Sequence, residues 1–275
     1  MTRSSSEPRA AAQVAGTAAF SKFMHLLQLV ADSKEPLTVP ELSKLSGYPR
    51  PTVYRTVAAL TAEGLLEMGP VTGHLVLGPR LISLANRSWG RSELRLASME
   101  DLKRLRDVTG ETVHLAVFNA NNMVYIDKLE SPSAVQMSSR IGTNVPLHST
   151  SVGKAYLAAL SEADCDGLLG ALPEEFTKFT ENTIGTKMAL RAQLMEIRKR
   201  GWSMDDEEIE PGICCFGAAI FGRDGKPVAA VSVSTLRFRH TEDIEVAYVK
   251  PLLEACASIT RRVSETPASL ASFAL

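Results

Sequence analysis

The sequence predicts an α+β chain of two units, a small helical one closed by a hairpin and then a larger domain of hairpins and helices. Three observations carry this. Apolar residues recur at helical spacing as far as residue 62, and two short strand-like runs follow. After Gly110, period-2 runs separated by turn signals take over. The charge divides along with the pattern. The 275 residues hold 30 Lys and Arg against 31 Asp and Glu. Residues 1–97 carry 11 basic and 7 acidic groups, and the remainder carry 19 and 24. Near-neutrality therefore conceals a basic region and an acidic region.

Composition narrows the class. With 45% apolar and 22% charged residues the chain is globular, not disordered or collagen-like. Its length suits one large domain or two modest ones. No stretch approaches the ~18 unbroken apolar residues of a membrane span, and residues 1–15 lack the apolar core of an export signal. Four cysteines, two of them adjacent (Cys214 and Cys215), make no disulfide framework. The expectation is a soluble, reduced, cytoplasmic protein with no membrane partner.

Residues 1–16, rich in Ser, Ala and Arg, read as a tail. From Thr17, Phe20, Phe23, Met24, Leu27 and Val30 give a helical stripe ending near Asp32-Ser33. Leu37-Thr38-Val39 is extended. Pro40 and Glu41 suit the first turn of a short helix that Gly47 stops. Pro49-Arg50-Pro51-Thr52 opens another helix, with Val53, Val57 and Leu60 facing inward. Its outer face carries Pro51, Thr52, Arg55, Ala58, Ala59 and Ala62, short side chains that suit close approach of another surface. Leu65 to Met68 and His74 to Leu77 flank Gly69 to Gly73 as a hairpin.

A helix, a turn with Gly and a second helix followed by a hairpin make a winged helix-turn-helix. Its second helix would enter the major groove of DNA by its N-terminus. Arg50 and Arg55 can pair with phosphate or guanine edges, Thr52 and Thr56 can reach phosphate, and Tyr54 can stack. Lys22 and Lys44 are candidate backbone contacts, and Thr72, Gly73 and His74 would lie at the wing tip. A helical hairpin packed only for structure, its arginines merely solvated, is the alternative; topology, small face and charge together favour DNA.

Leu81, Leu84, Ala85 and Trp89 form the next stripe, and Leu94 to Val108 a further helix ending at Gly110. Thr112 to Phe118 and Met123 to Leu129 read as strands joined at Asn119-Ala120-Asn121-Asn122, and Val135 to Ser139 as a third. Helices follow at Ser151 to Leu160, after a Ser161 cap, and at Met188 to Arg200. Cys214 to Phe221 and Pro227 to Ser234 flank Asp224-Gly225 as a hairpin, before a last helix from about Glu242 to Val263.

Several ordered segments resemble the IclR family of bacterial transcription regulators. Toward the N-terminus these are Leu37 to Leu42, Ser46-Gly47-Tyr48-Pro49, Thr52-Val53-Tyr54-Arg55, Glu63-Gly64-Leu65 and Leu77 to Leu81. Toward the C-terminus they are Pro146 to Ala155, Asp205 to Glu208, Gly212 to Cys215 and Ala229 to Ser234. The resemblance covers roughly residues 17–263. It implies a winged helix-turn-helix over 17–79, a linker helix over 80–97, a GAF-like effector domain over 98–265 and a tail over 266–275. It further implies a homodimer or homotetramer whose grip on a DNA operator is set by a small carboxylate or aromatic acid. Trp89 and Leu84 are candidate interdomain or dimer contacts.

The effector residues can also be read physically. Ser232 and Ser234, two apart on a strand, share a face and can hold a carboxylate oxygen. They could equally satisfy each other or the backbone. The N–H groups of Ser151, Val152 and Gly153 open a helix, a ready anion site. Asp205 can accept from a ligand hydroxyl, although Asp205 to Glu208 also reads as a solvated acidic run. By resemblance, Ser151, Val152, Asp205, Cys215, Ser232 and Ser234 are ligand contacts, and Met137, Val145 and Ile213 line the pocket. Val152 stands where many relatives have Ala, which narrows the mouth. His148 reads as a structural hydrogen-bonder.

Other chemistries find little support. Gly153-Lys154 lacks the earlier glycine and the Ser or Thr of a P-loop. His114, His148 and the cysteines lack zinc-site spacing, and no Gly-x-Ser-x-Gly elbow exists. No catalytic residue, metal or cofactor is expected.

Overall fold

A computed structural model describes residues 17–69, 72–90, 92–134, 137–240 and 243–265. The two expected tails, Pro70, Val71, Val135 and the Trp89 side chain lie outside the described residues. The chain divides into two compact units, one ending at Gly90 and one starting at Arg91.

The first unit runs α1 (Ala18–Asp32), β1 (Leu37–Thr38), α2 (Val39–Ser46), α3 (Arg50–Ala62), β2 (Leu66–Met68), β3 (His74–Leu77) and α4 (Pro79–Gly90). Thr38 and Glu41 form a capping box that starts α2, the Thr38 N–H donating to Glu41 Oε2 over 2.8 Å. Those Thr38 hydrogen bonds hold the Glu41 carboxyl below its ordinary range. The strands pair antiparallel in the order β1-β3-β2, Thr38 facing His74 and Met68 facing Leu75. Leu26, Leu42, Val53, Leu60, Leu66 and Leu75 are buried together, so three helices and the sheet share one small core.

The second unit contains α5 (Glu93–Thr109), β4 (Thr112–Asn119), β5 (Asn122–Leu129), β6 (Asn144–Pro146), α6 (Ser151–Ala159), α7 (Glu162–Ala171) and α8 (Lys187–Arg200). β7 (Ser203–Asp206), β8 (Ile213–Phe221), β9 (Pro227–Leu236) and α9 (Lys250–Glu265) complete it. The sheet is antiparallel throughout, in the order β6-β5-β4-β9-β8-β7. Alternation along the strands fills two separate cores. Val113, Leu115, Val231 and Val233 pack on Leu102 of α5 and on Leu252 and Ile259 of α9. Ala116, Met123 and Ala230 face the other way, onto Val152 and Ala155 of α6 and Leu190 and Leu194 of α8.

Three sequence expectations are corrected and one is refined. Of the third strand expected at Val135 to Ser139, the described residues 137–139 are not in a strand, and β5 pairs instead with Asn144–Pro146. The carbonyls of Met137 and Ser139 instead accept from Lys128 Nζ, each at 2.8 Å, so a side chain replaces a ladder there. The helix expected over 80–97 is interrupted. α4 stops at Gly90, and Ser92, extended, caps α5 by accepting from the Arg95 N–H. β7 has no counterpart in the sequence reading, where Asp205-Asp206 passed for a solvated run. The last helix opens with a π-helical turn, Glu245–Val249, before α9.

Candidate functional site

The first unit presents α3. Pro49 is extended before it, Thr52 and Val53 N–H groups donate to the Pro49 carbonyl, and Gly47 closes α2 in the left-handed region at φ 71°. The turn between the helices is fixed further by Ser43 Oγ donating to the Tyr48 carbonyl (3.0 Å) and by His25 Nδ1 against the Tyr48 hydroxyl (3.1 Å). Arg50 and Arg55 are exposed, Thr52 is half-buried and Tyr54 is 52% exposed. Arg55 Nε donates back to the Pro51 carbonyl at 3.4 Å, so its guanidinium lies along the helix start. Lys22 is exposed on α1, 6.0 Å from the centre of the Tyr48 ring, and half-buried His74 begins β3. Thr56 does not join them: it is only 4% exposed and packs inward beside Val53 and Val57.

In the second unit the sheet register assembles the other site. Asp205 faces Cys215, Cys215 faces Ser234 and Ser234 faces Thr112 across four strands. One row on, Ser203, Gly217, Ser232, His114 and Lys128 are in register. Paired residues share a face, so Asp205, Cys215, Ser232 and Ser234 all lie on the α6 side. Ile213, two before Cys215, lies there too. Val145 pairs with Met123 at the apolar end of the same face. Met137 is half-buried in the segment that Lys128 holds.

The N-terminus of α6 lies against this face. Ser151 is buried, and its carbonyl accepts from Ser203 Oγ at 2.6 Å. Gly217 makes that approach possible: a Cβ there would sit 2.6 Å from the Ser151 carbonyl carbon and oxygen. Gly153 allows a second close approach, between α6 and the segment before it, where a Cβ would lie 2.5 Å from Leu147 Cα. The Gly153 N–H is already committed, donating to Thr150 Oγ1 at 3.1 Å as the helix cap. It therefore drops out of the expected anion cradle, leaving the N–H groups of Ser151 and Val152. The Val152 side chain is fully buried against Ala116 and Met123.

His114 is the residue that the sequence reading missed. Its Nδ1 lies 3.5 Å from Ser232 Oγ and 3.4 Å from Ser234 Oγ, its Nε2 2.8 Å from Ser139 Oγ, and its ring stacks on Tyr125 at 4.4 Å. The serines therefore meet at an imidazole, not merely at each other. Burial, then the nearby Lys128 charge, pushes His114 down to about 3, so it is neutral, one ring nitrogen donating and one accepting. A signal existed: Thr112, His114 and Ala116 alternate with Val113, Leu115 and Val117, placing His114 on the Ala116 face. Tyr125 is pushed up by burial and then by Cys215 and Asp205, which are three and four strands away in the sheet order. The sheet thus curls around the site.

Charge enters from β7 and α6. Lys154, wholly buried, pairs with buried Glu208. Burial pushes the lysine down and the glutamate up, and each pulls the other back. Asp205 Oδ1 accepts from the Glu208 N–H at 2.8 Å, and burial pushes its carboxyl up to about 7. Asp205 to Glu208 is thus not a solvated run. Asp206 and Glu207 point elsewhere, to Arg237. With Cys214 they bring possible ligand atoms within 4.8 Å of one another, but the guanidinium already neutralises both carboxylates, so the group reads as an arginine clasp. His148 is structural as expected, its Nε2 3.1 Å from the Thr177 carbonyl.

The first unit thus presents an exposed helix at a helix-turn-helix, a candidate reader, and the second gathers buried polar side chains under a helix N-terminus, a candidate receptor. Among the described residues no helix is long and apolar enough to cross a membrane. Comparison with known proteins agrees with the reader and receptor. The model of the bacterial transcriptional regulator IclR C-terminal domain matches residues 88–261, and that of the IclR helix-turn-helix domain matches residues 20–70. The chain is 30% identical over 245 residues to the HTH-type transcriptional regulator XynR of Escherichia coli K12, covering 89% of this chain and 96% of that one. It is 30% identical over 240 residues to the transcriptional repressor IclR of the same organism, covering 86% of each. The crystal structure of Thermotoga maritima IclR superposes with a TM-score of 0.67 at 31% identity, covering 89% of this chain and 98% of that one. An IclR homologue from Microbacterium hydrocarbonoxydans, solved with 4-hydroxybenzoate, shares the fold at a TM-score of 0.74 and 23% identity, over 90% of this chain and 99% of that one. These relatives are regulators of transcription rather than enzymes, and this chain belongs with them, to the IclR family of bacterial transcriptional regulators.

Proposed function

We propose that the chain is a cytoplasmic regulator that binds a pseudo-palindromic operator as a homodimer or homotetramer and is controlled by a small organic or aromatic acid. The observation that carries the effector reading is the convergence of Ser232, Ser234 and neutral His114 in one register row and its neighbour, beneath the N-terminus of α6. Two hydroxyls, an imidazole N–H and the Ser151 and Val152 N–H groups are donors suited to a carboxylate. The Tyr125 ring and the apolar Met123–Val145 end suit a small apolar or aromatic body. Binding shifts DNA affinity only to the extent that the acid prefers one state of the protein over another.

The reader is α3, with Arg50, Thr52, Tyr54 and Arg55 toward the groove and Lys22 and His74 toward backbone. A two-fold dimer sets half-sites about one helical turn, or a multiple, apart. Arg55→Ala should weaken operator binding by ~1–3 kcal/mol if the guanidinium reads a base. An unchanged affinity at fixed salt removes that role. For the receptor, a thermal-shift screen of small organic and aromatic acids, 4-hydroxybenzoate and benzoate among them, should find a stabilising ligand. Ser232→Ala with Ser234→Ala should abolish that shift and leave operator affinity intact. A double variant responding at the wild-type concentration would place the pocket elsewhere.

A further inference from the structure

We propose that a carboxylic acid enters this site together with one proton, which it shares with Asp205, so that the receptor responds to pH as well as to its ligand. The inference rests on the acid-effector reading above. Its basis is a count of buried charge. Three charged side chains are buried around the site: Lys154 from α6, Asp205 from β7 and Glu208 just beyond β7. The ammonium is already bound to Glu208. The other groups that face Asp205 offer no second cation. Cys215 on β8 is a thiol that burial pushes well above its ordinary range, and Tyr125 on β5 is likewise pushed up. His114 on β4 is neutral. Lys128 on β5 is spent on the carbonyls of Met137 and Ser139 and on Glu130. Arg200, at the end of α8, stacks over the Trp202 ring at 3.9 Å and donates to the Trp202 carbonyl.

An incoming carboxylate would therefore make three carboxylates against one ammonium in a buried volume. Two carboxyl groups confined together do not both ionise; one keeps a proton and donates it to the other. Asp205 is placed to be that donor. Its carboxyl accepts from the Glu208 N–H and is also drawn down by the Ile209 N–H, and it keeps the proton because burial outweighs both. The balance is simple: one proton comes from solvent, no covalent bond changes, and the product is a neutral carboxylic acid hydrogen-bonded to a carboxylate. Burial has already brought the Asp205 carboxyl to about 7. Above that pH the proton must be taken up on binding, and the affinity falls by about tenfold per pH unit.

The test is isothermal titration of the full chain with 4-hydroxybenzoate and with benzoate at about pH 8.5, in two buffers of different ionisation enthalpy. The expected result is an uptake close to one proton per acid bound, with Kd rising about tenfold per unit between pH 7.5 and 9. Acid binding without proton uptake and with a flat pH profile overturns the inference while the receptor reading stands. If neither these nor the wider acid panel bind the folded protein, the receptor reading fails and the inference falls with it. Asp205→Asn supplies a measurement without ligand. A carboxyl raised above its unfolded range binds its proton more tightly when folded, so its stabilising contribution is present below pH 4 and is lost as pH rises toward 7. The stability of the wild type relative to Asp205→Asn should decline across that window. A parallel pair of curves would mean that Asp205 is not the proton carrier.

Discussion

Replacing Lys154 with methionine should destabilise the second unit by roughly 3–5 kcal/mol, the cost of leaving one partner of a buried ion pair uncompensated. Lys154 is 0% exposed, and the Glu208 carboxylate it neutralises is nearly so. Backbone N–H groups of Ile184 and Asp206 also favour the Glu208 carboxylate, but they carry no full charge to replace the ammonium. The double variant Lys154→Met with Glu208→Leu removes both charges and should recover most of the loss, because an apolar pair of similar volume fills such a site about as well. Urea denaturation followed by ellipticity measures both. A single variant that loses less than about 1 kcal/mol would mean that the pair behaves as a solvated one.

Gly217→Ala should cost about 3 kcal/mol or more, at or beyond the top of the usual range for an overpacked core. The new methyl carbon would meet the Ser151 carbonyl at 2.6 Å and Ser203 Oγ at 2.8 Å. The first of these is backbone at the start of a helix and cannot rotate aside. Relief requires α6 to lift from the sheet, which would also draw the Ser151 and Val152 N–H groups away from Ser232. Acid binding should therefore fall together with the melting temperature. Gly167→Ala is the control: it lies in α7 with open space around it, and should stabilise by about 0.5–1 kcal/mol. Equal effects from the two substitutions would show that the contact at Gly217 yields easily.

The reader was more legible in the sequence than the receptor, for a physical reason. Helical spacing, Gly47 and Pro49 are local signals, and they mark the helices of the first unit without reference to its strand pairing. Thr56 escaped because a short hydroxyl fits inside a helix interface as readily as outside it. In the second unit period-2 alternation correctly put Ser232 and Ser234 on one face. What they meet there depends on strand register, which no local pattern contains. His114 joined the site through pairing with Ser232, and Tyr125 through the curl of the sheet. Val135 to Ser139 looked like a strand because Val135 and Met137 alternate with Gln136 and Ser138, but Lys128 takes the carbonyls of Met137 and Ser139. Asp205 and Glu208 looked solvated because the cation that draws Glu208 inside, Lys154, is 54 residues away.

The pairing of β4 with β9 has a consequence for the order of events on the ribosome. Ser232 and His114 are 118 residues apart, so the floor of the receptor closes late in synthesis. The helix-turn-helix is complete once β3 has emerged, and domains fold in order from the N-terminus at about 5–20 residues per second. Each nascent chain thus carries a folded reader for on the order of ten seconds before it has a receptor. During that interval no metabolite can speak to it.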